Sequence, residues 1–191
     1  MTCSSGYRIN FKPPSPWVSR FIPLVPKFKN SKILDVACGN GRHTALSLSI
    51  GHHVLAVDRD TSRIVTPHRT SRLTIVNADL ETKEGWPFHG MLFEGVIVTN
   101  YLYRPILADI VSAVAPGGVL IYETFALGNE DFGHPENPEF LLQPGELLKV
   151  VEDQLTVLAY ENRYSEKPAP SIIQHIAAIR LNDNEKVPIF R

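Results

Sequence analysis

The sequence has few cysteines, no long apolar run and almost no net charge. Its 191 residues include two cysteines, Cys3 and Cys38, which cannot form a disulfide framework and are typical of a reducing compartment. No apolar run approaches the roughly 18 residues of a membrane span, and the first residues lack the hydrophobic stretch of a signal peptide. The formal net charge of -1 argues against bulk binding of a polyanion. We therefore expect a cytoplasmic protein that does not enter a membrane.

Five prolines in residues 1–30 exclude one long helix there, because proline removes a backbone donor and clashes with the preceding turn. Ser15 followed by Pro16 predicts a helix cap and a short helix that ends before Pro23. We expect residues 1–30 to form a proline-rich segment that covers a single domain at 31–181. Within that domain residues 126–143 form a lid-like insertion, and residues 182–191 form a tail.

Strand and helix patterns alternate along the domain. Strands are predicted at 32–36, 53–57, 73–76, 93–98 and 119–122, and helices at 42–50, 61–69, 105–115 and 144–151. The sequence Pro116-Gly117-Gly118 is expected to end the third of these helices. Two β runs at 155–163 and 171–181 follow with only a short loop between them. This order predicts an α/β fold with a mostly parallel, doubly wound sheet and an antiparallel C-terminal hairpin.

A glycine turn after the first predicted strand is the strongest local signal. The segment 33–44, ILDVACGNGRHT, places Gly39 and Gly41 between a strand and a helix, where backbone amides can approach a ligand. Thr44 stands where the dinucleotide-binding pattern G-x-G-x-x-G has its third glycine, which disfavours a nicotinamide oxidoreductase. Asp35 precedes the turn and would repel a pyrophosphate. A ligand with a cationic amine and a sulfonium fits this acid better.

Two further acids end the next two predicted strands. Asp58 lies 19 residues after Gly39, the spacing at which an acid reaches ribose hydroxyls, and Asp79 follows the third strand. Ligands of open α/β sheets bind at the carboxyl ends of the strands. The three acids therefore predict one edge of a binding pocket.

These motifs resemble the class I S-adenosylmethionine-dependent methyltransferases over roughly residues 31–181. The resemblance rests on D-V-A-C-G-N-G, the acid at Asp58, N-A-D-L at 77–80 and A-P-G-G-V-L at 115–120. It implies a Rossmann-like, seven-stranded sheet with a reversed last strand, S-adenosylmethionine as cofactor and S-adenosylhomocysteine as product. Within the class, the short chain and the pattern D-x-x-C-G-x-G-R-H look most like the small tellurite-resistance-type (TehB-like) enzymes.

The resemblance also implies a set of cofactor contacts. Asp35, Ala37, Gly39 and Gly41 would lie along the methionine moiety, Asp58 on the ribose, Arg59 and Asp79 with Leu80 on the adenine, and Asn100 near the transferable methyl. Structural alternatives remain open for three of them. Asp35 could cap the helix after the turn, Asp79 could start the next helix, and Arg59 could be a solvated surface residue.

Candidate catalytic residues follow the fourth and fifth strands. Tyr101 could line the substrate pocket, and the Arg104 guanidinium could grip an anionic group, although pairing with Asp109 or Glu123 is an equal alternative. Glu123 is the best candidate base, but an acid near the end of a buried strand more often has a structural partner. Methyl transfer by direct displacement needs chiefly alignment, so a base is optional.

Several chemistries are disfavoured by missing residues. The segment after the fourth strand lacks the prolines of adenine amino-methyltransferases, and no cysteine stands there for cytosine methylation. No metal-ligand spacing is apparent, and His175 is expected to be a packed histidine. The loop 126–143 leaves the carboxyl end of the fifth strand, so we expect a lid over the cleft, with a static surface loop as the alternative.

A small-molecule acceptor is the leading interpretation, and the oligomeric state is not determined by the sequence. An RNA acceptor is the second, because aromatic and basic residues interleave near the N-terminus (Tyr7, Arg8, Phe11, Lys12, Trp17, Arg20, Phe21, Lys27, Phe28, Lys29, Lys32). A non-catalytic cofactor-binding subunit is the third. The basic residues of 1–34 and the acids of 123–153 are expected to flank the cleft on opposite sides.

Overall fold

The computed structural model describes residues 12–64, 70–83 and 85–182. Seven strands form one sheet: β1 (Lys32–Val36), β2 (His53–Asp58), β3 (Leu73–Asn77), β4 (Phe93–Thr99), β5 (Val114–Phe125), β6 (Thr156–Ser165) and β7 (Ser171–Ile179). Four α-helices accompany them: α1 (Pro16–Phe21), α2 (Arg42–Ser49), α3 (Leu107–Ser112) and α4 (Glu146–Val151).

The strand order is β3-β2-β1-β4-β5-β7-β6. Strands β1 to β5 pair in parallel, whereas β7 lies antiparallel between β5 and β6. The predicted mixed sheet with a reversed C-terminal hairpin is therefore confirmed. All the parallel strands end at one edge of the sheet, here called the carboxyl edge, which is where ligands of such sheets bind.

Alternating side chains of the strands divide the core into two faces. One face carries Leu34, Val96 and Tyr122 and packs against α3 and α4. The other carries Ile33, Ile97 and Ile121 and packs against Trp17 and Phe21 of α1. The period-two alternation follows from strand geometry, since successive side chains point to opposite faces.

Helix α1 forms as the sequence predicts. The Ser15 hydroxyl accepts hydrogen bonds from the backbone amides of Trp17 and Val18, and Pro16 occupies the first turn, where no donor is needed. The indole of Trp17 donates to the carbonyl of Ile176 on β7, which ties the helix to the sheet. The segment around α1 is therefore a packed cover of the β5–β7 face.

Two helix predictions need correction. At 61–69 the described residues form only one 3-10 turn, Thr61–Arg63, and residues 65–69 lie outside the described part. The helix expected at 105–115 is a 3-10 turn, Arg104–Ile106, followed by α3, which ends at Ser112.

The sequence Pro116-Gly117-Gly118 does not end that helix but lies inside β5. The pairing of β4 with β5 shifts register there, from Phe93 opposite Val114 to Gly95 opposite Val119. A Cβ on Gly118 would lie 2.8 Å from the carbonyl oxygen of Ala115 and 3.0 Å from that of Glu94. Glycine is therefore required by the close approach of two strands at a bulge, a role that turn statistics do not reveal.

Among the residues that the structure describes, no helix has the length and apolarity needed to cross a membrane.

Candidate active site

The glycine turn connects β1 to α2 at the carboxyl edge. Ala37, Gly39 and Gly41 have φ angles of 50°, 57° and 81°, so the chain reverses through left-handed conformations. Ala37 is the costly member, because a residue with a Cβ rarely adopts such a backbone. A Cβ on Gly39 would meet no atom within 4 Å, whereas one on Gly41 would lie 3.1 Å from Ile64. The turn is packed at Gly41 and open above Gly39, which leaves room for a ligand.

Asp58 lies beside this turn at the end of β2. Its Oδ2 accepts the Gly39 amide at 2.8 Å, and its Oδ1 accepts the Asp60 amide at 2.9 Å. Two backbone bonds fix the carboxylate in place while leaving further acceptor positions on both oxygens. The acid is partly exposed, so a hydroxyl-bearing ligand has access to it.

Asp35 is almost fully buried, with 1% of its surface exposed. Its Oδ2 accepts the Thr44 hydroxyl at 2.6 Å, and the loss of hydration raises its pKa to about 6. The carboxyl therefore joins β1 to the first turn of α2, as in the structural alternative. Asp35 contributes to the site by linking β1 and α2, the two elements that the glycine turn connects.

The remaining predicted cofactor residues are spread along the same edge. Asp79 is exposed, and its Oδ1 accepts the Glu81 amide at 2.9 Å, so it organises the turn after β3, while Leu80 is part of the core. Arg59 is exposed, and its carbonyl accepts the Asn77 side-chain amide. Asn100 follows β4 with a φ angle of 52°.

A cleft of about 340 Å³ opens beyond Asn100. It lies between the segments that follow β3 and β4 on one side and the segment that follows β5 on the other. Its lining residues are Glu81, Asn100, Tyr101, Leu102, Thr124, Phe125, His134, Pro135 and Phe140. The volume is within the range of small-molecule pockets.

Tyr101 is the polar aromatic residue of this cleft. Its hydroxyl is buried and has no hydrogen-bond partner among the described residues. Burial, reinforced by the nearby carboxylates of Glu81 and Asp79, raises the pKa of this phenol. Tyr101 is therefore a neutral hydrogen-bonding group with an unused partner position.

Arg104 does not face the cleft as a free cation, and its acidic partner is Glu146 rather than Asp109 or Glu123, the two acids of the structural alternative. Its guanidinium makes a bidentate contact with Glu146, at 2.7 Å from Nε and 3.0 Å from Nη2. It also donates to the backbone carbonyls of Glu139 and Leu141. Arg104 therefore holds the end of loop 126–143 against α4, and its partner was not apparent because it lies 42 residues away.

Loop 126–143 is fixed at both ends rather than hanging free. Asn129 accepts the Ile172 amide of β7, and Ala126 pairs with Leu142 in an isolated bridge. The middle of the loop, with His134 and Pro135, lines the cleft. The loop thus forms one wall of the cleft.

Glu123 belongs to a buried polar cluster on the α1 side of the sheet. Its Oε2 accepts the Ser15 hydroxyl at 2.7 Å and lies 3.4 Å from Nε2 of His175. Burial raises the pKa of Glu123, against the opposing effect of the Ser15 hydrogen bond. Glu123 does not line the cleft, so the structural alternative of a partnered acid is the arrangement observed.

His43 is a member of this cluster that sequence reasoning missed. Its Nε2 accepts the Ser15 backbone amide at 3.1 Å, which places the ring proton on Nδ1, 3.3 Å from the Thr99 hydroxyl. Burial lowers the pKa of His43 to about 3, so the neutral ring persists. Its position directly after the glycine turn was the available signal, but the contact with Ser15 spans 28 residues.

The basic residues Lys27, Lys29 and Lys32 do not flank the cleft. Lys32 begins β1, and the Lys27 side chain lies beside Gly51, just before β2. Both are at the amino-terminal edge of the sheet, opposite the cleft. The expectation that the N-terminal basic residues face the acidic loop across the cleft is therefore wrong for these three.

Among the described residues, no group of three or more His, Cys, Asp or Glu side chains is placed to hold a metal ion.

Comparison with known proteins finds matches in structure and one in sequence, but no protein-family model matches the chain. An S-adenosylmethionine-dependent methyltransferase from Methanosarcina mazei superposes with a TM-score of 0.62 at 15% identity, covering 89% of this chain and 99% of the other. A TehB-like methyltransferase from Corynebacterium glutamicum gives 0.59 at 20% identity, covering 86% and 87%. At these identities the likeness establishes the fold.

A sequence relative is a tRNA U34 carboxymethyltransferase from Cellvibrio japonicus, which is 27% identical over 122 residues. The match covers 59% of this chain and 38% of that relative.

The structural matches show that the chain has the fold of the S-adenosylmethionine-dependent methyltransferases. The resemblance seen in the sequence is confirmed at that level.

Proposed function

We propose that the chain is an S-adenosylmethionine-dependent methyltransferase that transfers a methyl group to a small-molecule acceptor. The observation that carries the proposal is the pairing of Asp58 with the Gly39 amide at the carboxyl edge of this sheet. It fixes an acid beside an open glycine turn, next to a cleft that has space for a second molecule. This combination suits a cofactor with hydroxyls and a positive charge better than a pyrophosphate.

The residues present fit such a cofactor. Asp58 would accept hydrogen bonds from ribose hydroxyls, and the open backbone at Gly39 would lie against the methionine moiety. Asp79 and Arg59 would border the adenine, and Asn100 would lie towards the methyl group. When bound, the cofactor supplies an electrophilic methyl on a sulfonium, and the chain supplies alignment, exclusion of water and a neutral hydrogen-bonding group at Tyr101.

Calorimetric titration with S-adenosylmethionine tests the first half of the proposal. Asp58→Asn keeps the size of the side chain but removes its charge, and we expect the dissociation constant to rise about 10- to 100-fold, as for a lost hydrogen bond to a charged group. Asp153→Asn, an exposed acid after α4, is the matched control and should bind like the wild type. An absence of binding by the wild type at millimolar cofactor would refute the proposal.

An RNA acceptor is the second candidate, favoured by the similarity to a tRNA-modifying relative. The exposed Lys27, Lys29 and Lys32 are the basic residues that such a substrate would contact, although they lie at the opposite edge from the cleft. Phosphate contacts make affinity depend steeply on salt. Binding of a transfer RNA that strengthens several-fold as salt falls from 200 to 50 mM, and that weakens in a triple Lys→Ala variant, would favour this candidate.

A measurement of turnover distinguishes a methyltransferase from a non-catalytic cofactor-binding subunit. We expect the purified chain alone to convert S-adenosylmethionine to S-adenosylhomocysteine when an acceptor is present. Tight cofactor binding with no transfer to any acceptor, restored only by a second protein, would assign the chain as a subunit.

A further inference from the structure

The cleft walls are formed mainly by rings and apolar groups. Tyr101, Phe125 and Phe140 contribute three aromatic rings, and Leu102 and Pro135 add aliphatic surface. Phe140 is 46% exposed although it has a large apolar side chain. Exposed apolar surface inside a concave site is typical of ligand contact. The bound group therefore has an apolar or aromatic body.

The charges around the cleft are predominantly negative. The described lining residues include no lysine or arginine, and they include one carboxylate, that of Glu81. Asp79 lies close enough to influence the same Tyr101 phenol. On the opposite wall the exposed imidazole of His134 lies 3.6 Å from Glu136, which places another carboxylate beside that ring.

The nearby cations do not reverse this balance. Arg104 is bound by Glu146 and by two carbonyls, so its charge is already compensated. Arg59 also acts on Tyr101, but it is one exposed cation beside two carboxylates. A carboxylate or phosphate entering the cleft would thus meet like charges without a compensating cation among the described lining residues.

Tyr101 supplies the remaining specificity. Its hydroxyl is buried without a partner among the described residues, so the loss of its hydration is not compensated. A ligand nitrogen or hydroxyl that reaches this group would compensate that loss. The surrounding rings add attraction for a cation through their negative faces.

We propose that the acceptor is an amine carried on an apolar or aromatic body, recognised by Glu81, the Tyr101 hydroxyl and the ring faces of Tyr101, Phe125 and Phe140. This inference rests on the proposed methyltransferase function. The ammonium form of the amine is the species first attracted, and it loses one proton to solvent at the open mouth of the cleft. The free nitrogen lone pair then forms the bond to the methyl carbon while the bond from that carbon to sulfur breaks. The electron pair stays on sulfur, and the products are a methylated ammonium and S-adenosylhomocysteine.

The test uses probe pairs that have similar bodies and opposite charge. Phenethylamine is compared with 3-phenylpropionate, and tryptamine with indole-3-propionate, by calorimetry on the full chain saturated with S-adenosylhomocysteine. We expect each amine to bind at least tenfold more tightly than its carboxylate counterpart. Both amines should also become N-methylated when S-adenosylmethionine replaces the product.

Variants separate the contributions of charge and of rings. Glu81→Gln should reduce the preference for amines to about threefold or less, whereas Phe140→Ala should weaken amine and carboxylate alike. Glu152→Gln, an exposed acid at the end of α4, is the control and should leave the preference unchanged.

Equal or tighter binding of the carboxylates, no binding of either member, or displacement of the amine by a transfer RNA at 50 mM salt would each overturn the inference. The titration with S-adenosylhomocysteine that precedes each experiment distinguishes the two proposals. If that product does not bind, the proposed function fails. If it binds and the preference for amines is absent, only the assignment of the acceptor class fails.

Discussion

The two sides of the carboxyl edge satisfy their polar groups in different ways. On the α1 side, Ser15, His43, Glu123 and His175 are buried, and three of them are linked through Ser15. On the side of loop 126–143, an open cleft with the exposed Phe140 lies beside the polar contacts of Arg104 with Glu146 and the loop. A buried polar cluster of this kind tolerates little rearrangement, because each lost partner leaves a desolvated group. Under the proposed function, the open loop side would admit the acceptor, and the packed α1 side would keep the glycine turn in place.

The largest expected effect concerns the loop side. Arg104→Met removes the bidentate contact with Glu146 and two bonds to loop carbonyls, leaving the mostly buried Glu146 carboxylate without a cation and with the Gln143 amide as its remaining donor. We expect a loss of about 4 kcal/mol in the free energy of unfolding, measured by urea denaturation. Faster proteolytic cleavage within 126–143 should accompany it.

Arg163→Met is the control, because the pair of Arg163 with Glu161 lies at the surface. Exposed pairs contribute about 1 kcal/mol or less, so this variant should be nearly as stable as the wild type. Equal losses in the two variants would contradict the view that the loop wall depends on Arg104.

The next effect concerns the buried acid below the glycine turn. The pKa of Asp35 is raised by burial from 3.8 to about 6, so between these values the folded state binds more protons than the unfolded state. The free energy of unfolding therefore falls as pH rises through this window, by about 3 kcal/mol in total for this group, and stays lowered above pH 6. Asp35→Asn should remove this part of the slope.

Urea denaturation of both proteins from pH 3.5 to 7.5 provides the measurement. Burial lowers the pKa of His43 to about 3 and that of His175 to about 4. Their contributions to the free energy of unfolding therefore decrease as pH falls, which is opposite to the effect of Asp35. They are common to both proteins, so the difference between the curves isolates Asp35. Parallel curves would show that Asp35 is ionised with equal ease in the folded chain.

The smallest expected loss of stability concerns the contact between the start of α1 and the sheet. Ser15→Ala removes the helix cap and the hydrogen bond to Glu123 together. We expect a loss of about 2 kcal/mol, of which the cap accounts for about 1 kcal/mol. Ser15→Thr retains a hydroxyl and should recover most of it.

Asn137→Ala is the matched substitution on the loop side, because it also removes a capping side chain. The Asn137 side chain also accepts a backbone amide, from Glu139, but it is exposed to solvent. Its loss should be below about 1 kcal/mol, because water replaces the lost partner. A larger loss at Asn137 than at Ser15 would reverse the contrast between the two sides.

The sheet, the glycine turn and the cap of α1 were predictable, because each depends on residues close together in the chain. The alternation of strands and helices indicated a parallel sheet, and Ser15-Pro16 carried its own helix-start signal. The partners of Arg104 and Glu123 were not predictable, since they lie 42 and 108 residues away. The bulge at Gly118 was misinterpreted because a Pro-Gly-Gly sequence is typical of a turn, whereas the close approaches that require glycine there are to Ala115 of the same strand and to Phe93 and Glu94 of β4. The placement of Lys27 to Lys32 was wrong because charge along the sequence does not report the edge of the sheet on which a segment lies.

The bond from the Trp17 indole to the Ile176 carbonyl joins residues that are 159 positions apart. Helix α1 is made before β7, yet its position on the sheet depends on a contact with β7. This contact can therefore form only after the C-terminal hairpin has been made. Contacts of such long separation slow folding. The docking of α1 is thus a late event, and it completes the face on which the glycine turn is held.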